Sequence, residues 1–183
     1  MKTYAGLMLG LAASLVSVSA AAELSAGVYA GYGLPPRDGG DDHFRFGYGA
    51  RAGYAFVLPI YLGAAATWHK GSEDAPPESQ RNYFNYYGLE GGVDLTFGPV
   101  GFRPYAMVGV ADVHSVRSSD DSFLSPYYGL GVMPTWRFID LPGLDVFLGL
   151  DVRYIRVTKS LEKGGTSEVL TGFPTYLSVG VRI

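Results

Sequence analysis

The chain contains no cysteine. That excludes a disulfide framework and a lipid-bearing N-terminal cysteine, so stability has to come from hydrogen bonding and packing. Long apolar runs are also lacking: the longest, Ala5 to Val18, is roughly 14 residues, short of the ~20 that a membrane-crossing helix needs. Lysine is scarce, and Lys and Arg together number 14 against 17 Asp and Glu. Such a balance carries no electrostatic footprint for nucleic acid. Helical periodicity is missing throughout, which argues against a soluble helical domain.

What is abundant is glycine, at 26 residues, and tyrosine, at 14. Together they suit a sheet whose backbones and neighbours approach closely. At the start, Lys2 supplies a short positive region, Ala5 to Val18 an apolar one, and Ala20-Ala21-Ala22 an A-x-A site. Residues 1–22 are therefore expected to be a cleaved signal peptide, and residues 23–183 one domain with a net charge of about −4.

The stretch Thr175 to Ile183 alternates without a break. Thr175, Leu177, Val179, Val181 and Ile183 share one face, and Tyr176, Ser178, Gly180 and Arg182 the other. A terminal strand of this kind would leave an open edge unless it closed a barrel against the first strand. In this it resembles the small outer-membrane β-barrels, whose last strand is the recognition signal of the barrel-assembly machinery. The resemblance implies that role for Tyr176, Leu177, Val179, Val181 and Ile183, with Ile183 standing where the family usually ends in Phe.

Seven further alternating segments precede it. They are expected at Leu24 to Leu34, Phe44 to Phe56, Ile60 to His69, Asn82 to Phe97, Phe102 to His114, a sixth around Tyr127 to Arg137, and Leu144 to Tyr154. In the fifth, Ala106, Val108 and Val110 compete with Tyr105, Met107 and Ala111 for the apolar face, and a bulge near Pro104 would reconcile them. Polar segments near residues 38, 75, 120 and 164 alternate with tight turns at Val57-Leu58-Pro59, Gly98-Pro99-Val100-Gly101 and Asp140-Leu141-Pro142-Gly143. Alternation of long loop and short turn is the connection pattern of an eight-stranded antiparallel up-and-down transmembrane barrel, with loops outside and both termini periplasmic. A soluble sandwich has no reason to sort its loop lengths this way, whereas a lipocalin-like barrel turned inside out shares the alternation and is separated from a membrane barrel by the cost of its facing.

Facing follows from cost. An Arg turned to lipid at the midplane costs ~2–4 kcal/mol, so the Gly-rich faces that carry the charges are expected inside. The predicted lumen network comprises Arg45, Arg51, Arg103, Arg137, Arg153 and Arg182 against Glu90, Asp94, Asp145 and Asp151. Phe44, Phe46, Trp68, Tyr83 and Tyr87 at the loop ends, and Tyr54, Phe56, Phe97, Trp136 and Phe138 at the turn ends, would form two aromatic girdles. Arg156 continues the lipid-facing register past Tyr154, and with Lys159 it is placed to meet lipopolysaccharide phosphate at headgroup level.

Chemistry is thinly represented. His43, His69 and His114 fall near loop-side strand ends, with Asp112, Ser115 and Ser118 close to His114, but polar residues belong at a rim in any case. No His follows His114, so the late His and Ser pair of lipid A-modifying barrels is absent. The three His lack metal-ligand spacing. Neither cofactor nor catalytic residue is expected.

Over the whole predicted mature chain the sequence resembles the eight-stranded OmpA, OmpX and OmpW kind of barrel, with Arg103-Pro104-Tyr105 opening a Gly-containing strand and Asp151-Val152-Arg153-Tyr154 in the penultimate one. The resemblance implies a monomer in the outer membrane that meets lipid, lipopolysaccharide and, during insertion, the assembly machinery. It leaves open a structural or surface-interaction barrel and a narrow OmpW-like channel for small hydrophobic solutes. With no residues beyond the closing strand, a wall-binding domain of the OmpA type is not expected.

Overall fold

A computed structural model describes residues 23–34, 44–56, 59–70, 83–114, 122–163 and 166–183. The alternating stretches form β1 (Glu23–Leu34), β2 (Phe46–Ala55), β3 (Ile60–Lys70), β4 (Tyr83–Val93), β5 (Leu95–Phe97), β6 (Val100–His114), β7 (Ser122–Leu141), β8 (Leu144–Lys163) and β9 (Thr166–Arg182). No helix occurs among the described residues. Both β4 and β5 pair with β6, so they are two pieces of one barrel strand interrupted at Asp94. The amide of Asp94 still bonds the Pro59 carbonyl at 2.9 Å, one rung beyond Val93 opposite Ile60 in the register with β3.

Eight antiparallel strands thus follow one another around a closed barrel. Closure is made by β9 on β1, in register from Ser25 opposite Arg182 to Leu34 opposite Phe173. It is completed by the reciprocal bonds Leu24 N–H to Ile183 O at 3.0 Å and Ile183 N–H to Leu24 O at 2.9 Å. No sheet edge is left along that seam, which removes the main hazard of a long exposed strand.

Two turns show why glycine sits where it does. Gly98 has φ 62° at the first central position of the Gly98-Pro99 turn, and Gly143 has φ 78° at the second position of Pro142-Gly143. Both angles lie in the left-handed region that side chains with a Cβ avoid.

Several expectations are corrected. Phe44 is not in the outer girdle: it precedes β2 in a turn, so strand alternation does not reach it, and it is buried inside the barrel. The fifth barrel strand, β6, has no bulge near Pro104. Its register against β7 is unbroken from Val100 to His114, with Tyr105, Met107 and Ala111 inward and Ala106, Val108 and Val110 outward. The irregularity lies instead between Arg137 and Ile139, which lets Phe138 and Ile139 both face outward. The polar segment Lys159 to Leu170 is largely strand, because β8 and β9 continue pairing to Lys163 opposite Thr166, past a register shift after Arg156. Likewise β7 starts at Ser122, inside the segment read as a loop. The predicted signal peptide and His43 lie outside the described residues.

Candidate functional site

The interior is filled by side chains in layers, as an eight-stranded barrel requires. At its centre Arg51 of β2 meets Asp151 of β8 in an ion pair and reaches Glu90 of β4 at 3.3 Å and the Tyr105 hydroxyl at 3.2 Å. Arg153, two residues along β8, donates to the same Asp151 Oδ2 from Nε at 2.9 Å and Nη2 at 2.6 Å. Tyr105 donates to Asp151 Oδ1 at 2.5 Å, and Tyr61 to Glu90 Oε2 at 3.5 Å. Two guanidinium groups therefore face two carboxylates, and all four side chains are almost wholly buried. Such a set is tolerable away from water because the charges balance and hydrogen bonds occupy most of the remaining donors and lone pairs, Arg51 Nε alone among the two guanidinium groups being buried without a partner among the described residues.

Tyrosines extend this cluster toward the loop side. Arg153 Nη1 donates to Tyr86 Oη at 2.9 Å and Thr67 Oγ1 at 3.3 Å. Its plane lies over the rings of Tyr29 at 4.4 Å and Tyr176 at 4.8 Å, and cation–π attraction strengthens when desolvated. Tyr176 Oη is 3.0 Å from Tyr86 Oη and 2.7 Å from His69 Nε2. Above them Phe44 packs on Phe84 at 4.7 Å between ring centres and on His69 at 5.6 Å, with Val113, Ile155 and Val157 in the same apolar cluster.

Toward the turns a second charged layer appears. Arg103 pairs with Asp94 and stacks on Tyr61 at 3.7 Å, and Arg182 approaches Asp94 at 3.4 Å and Glu23 at 4.0 Å. At the mouth, Arg137 meets Asp145 at 3.0 Å and Asp140 at 3.5 Å while remaining one-third exposed.

Glycine makes the space for these bulky groups. A Cβ at Gly53 or Gly63 would overlap Tyr61, and one at Gly131 would overlap the ring of Tyr105. That relation between small and large residues across neighbouring strands is what places the Tyr105 hydroxyl on Asp151.

Of the predicted network, Arg51, Glu90, Asp151 and Arg153 lie together, Asp94, Arg103 and Arg182 form the layer below, and Arg137 with Asp145 stands apart at the mouth. Arg45 is half-buried beside Phe44, ahead of β2. Sequence reading missed the tyrosines Tyr29, Tyr61, Tyr86 and Tyr105 as network members. Each occupies an inward position with small residues opposite it on both neighbouring strands, such as Gly49 and Ser178 for Tyr29 and Gly92 and Gly131 for Tyr105, a relation that appears only once the strands are paired. Tyr176, grouped by resemblance with the assembly residues, points into the lumen. Leu177 and Val179 face out, and Ile183 is exposed at the end.

His69 is walled inside, whereas His114 is on the outer face, stacked on Tyr83 at 5.0 Å, with Asp112 two residues before it. Ser115 and Ser118 lie outside the described residues. Among the described residues no three His, Cys, Asp or Glu converge as metal ligands.

The outward face carries the complementary chemistry. Val28, Leu62, Leu89, Val108, Leu130, Leu150 and Leu177 are exposed in one belt. Rings of Tyr32, Phe46, Tyr48, Tyr87, Tyr128 and Phe173 flank it on the loop side, and Tyr54, Phe56, Phe97, Phe102, Trp136 and Phe138 on the turn side. An apolar band between two aromatic girdles is the surface of a barrel in lipid. The family model of the outer membrane protein β-barrel domain matches residues 8–173. The chain belongs to that family.

Three solved outer-membrane barrels are similar in structure. Neisserial surface protein A has a TM-score of 0.50 and 20% identity, covering 88% of this chain and 96% of its own. A major outer membrane protein of Thermus thermophilus has a TM-score of 0.53 and 15% identity, covering 89% of this chain and 100% of its own. The N-terminal barrel domain of Pseudomonas aeruginosa OprF has a TM-score of 0.50 and 14% identity, covering 88% of this chain and 97% of its own. At these identities the likeness is one of fold. No curated protein matches the chain. As a member of the outer membrane protein β-barrel family, the protein resides in the outer membrane.

Proposed function

We propose that this outer-membrane barrel is a structural or surface-interaction protein, without enzymatic activity, whose lumen is plugged. The observation that supports it is the balanced cluster of Arg51, Glu90, Asp151 and Arg153, which spans the barrel from β2 and β4 to β8. A narrow channel for small hydrophobic solutes would have to lead its solute past four buried charges. That is an unfavourable path for an apolar molecule, since it would strip the charges of their partners. Planar-bilayer conductance of the refolded protein is the test. Baseline current supports the plugged reading, and a large steady ion current would favour the channel.

The monomeric barrel meets its surroundings at two levels. Arg156 is exposed on the outer face just beyond Tyr154, where a guanidinium loses little hydration and can pair with lipopolysaccharide phosphate. Lys159 follows in β8, its side chain outside the described residues. During insertion, Leu177, Val179, Val181 and Ile183 offer the assembly machinery an apolar strand face. Tyr176 contributes from the opposite face, by packing the lumen.

A further inference from the structure

The lipid-facing surface is indented. Ala50 and Ala52 of β2 lie opposite Ala66 and Ala64 of β3, and these four outward residues floor a shallow, wide-open groove of about 720 Å³. Leu89 of β4 and Val108 of β6 form its wall, 66% and 58% exposed. A collar of rings bounds the loop-side end: Tyr48 stacks on Trp68 at 5.9 Å, and Trp68 meets Tyr87 edge-on at 6.0 Å. Beyond the collar Lys70 continues the outward register of β3 and is exposed. Asp112 lies two strands away on the same face, near the Tyr83 hydroxyl. From Ala66 or Ala64 to Lys70 is roughly 13–20 Å along the strand at ~3.3 Å per residue, which at a tilt near 40° is about 10–15 Å of depth. One leaflet of hydrocarbon is about 15 Å deep.

We propose that this groove seats one acyl chain of a phosphate-bearing lipid from the loop-side leaflet, whose headgroup pairs with Lys70. The match of depth places the chain end on the alanine floor when the phosphate is at the lysine. A second copy of the barrel presenting the same face is the weaker occupant, because two indented surfaces laid together leave a void. Attraction here comes from van der Waals fit, since the surrounding lipid is as apolar as the groove, and from the charge pair at the headgroup.

With two tryptophans in the chain, Trp136→Phe leaves Trp68 as the sole reporter beside the groove, and Trp68→Phe leaves Trp136 at the far girdle. The probe is phosphatidylglycerol brominated on one acyl chain, mixed into phosphatidylcholine vesicles. Trp68 should be quenched with an apparent preference for the brominated anionic lipid of roughly two- to fivefold over its mole fraction, the range an exposed ion pair supports. Trp136 should follow mole fraction alone. Lys70→Ala should remove the preference, and Ala50→Leu with Ala66→Leu should remove it by filling the floor. Because those leucines face lipid, heat-modifiable migration should persist, with Ala52→Leu and Ala64→Leu as a second filling pair. Equal preference at the two tryptophans, a preference unchanged by filling, or a detergent-stable dimer that filling abolishes would each overturn the proposal.

Discussion

Asp151 accepts from both Arg51 and Arg153 and from Tyr105, whereas among the described residues Glu90 meets only Arg51 and, at 3.5 Å, Tyr61. Truncating Asp151 would therefore leave Arg153 without a carboxylate and Arg51 with Glu90 alone, whereas truncating Glu90 would leave Arg51 its better partner. Asp151→Ala is expected to lower unfolding stability by about 3–5 kcal/mol, the cost of breaking a buried pair, and Glu90→Ala by less. Urea unfolding of the refolded barrel followed by tryptophan fluorescence measures both, and equal losses would show that Glu90 holds more than the geometry assigns it. Arg137 provides the contrast. It is one-third exposed at the mouth, so Arg137→Ala should cost no more than about 1 kcal/mol. The charges were legible as inward because lipid excludes them, but their partners were not. Arg51 and Asp151 are a hundred residues apart, and alternation reports which face a residue takes without reporting what lies across the lumen.

At the scale of the strand, facing was readable wherever one face is aliphatic and the other glycine or charge, as in β8, where Leu144, Val146, Leu148, Leu150 and Val152 oppose Asp145, Gly149, Asp151 and Arg153. It failed where both faces are apolar, as in β6, because Tyr105 and Met107 fill the lumen as well as Val108 and Val110 cover the outside. Phe44 was misplaced for a related reason: an aromatic in a turn has no register to inherit. The terminal strand yields the element-scale prediction. Ile183 both donates to and accepts from Leu24, and Val181 pairs with Ala26 on one side and Val146 on the other. Deleting Val181 to Ile183 removes rungs from both seams of the barrel. Ile183→Asp instead leaves the backbone and puts a charge on the lipid-facing end. The deletion should abolish outer-membrane insertion, scored as loss of the heat-modifiable band in membrane fractions. If Ile183→Asp inserts normally, closure by hydrogen bonding matters more than recognition of the apolar terminus.

For the molecule as a whole, the uneven height of the barrel bears on orientation. Along β8 the outward apolar residues run from Leu144 to Tyr154, about eleven residues, which at a tilt near 40° is close to the ~25 Å apolar band of an outer-membrane barrel. Strand pairing continues past Arg156 to Lys163 opposite Thr166, so the β8–β9 hairpin rises beyond the band on the loop side. Its alternation was hidden in the sequence by a polar composition: the ribbon has no lipid to face and thus no apolar stripe. The turn side ends four residues past the girdle residue Phe138, at Pro142-Gly143. A barrel inserted with loops outward would expose Lys163 to the medium and keep Asp140, an exposed side chain at the opposite rim, in the periplasm. The absence of native cysteine makes this directly measurable. Lys163→Cys should react with a membrane-impermeant maleimide on intact cells, whereas Asp140→Cys should react only after the outer membrane is permeabilised. Labelling in the reverse order would invert the barrel and remove Arg156 from the lipopolysaccharide leaflet, and with it the surface-interaction role proposed for that rim.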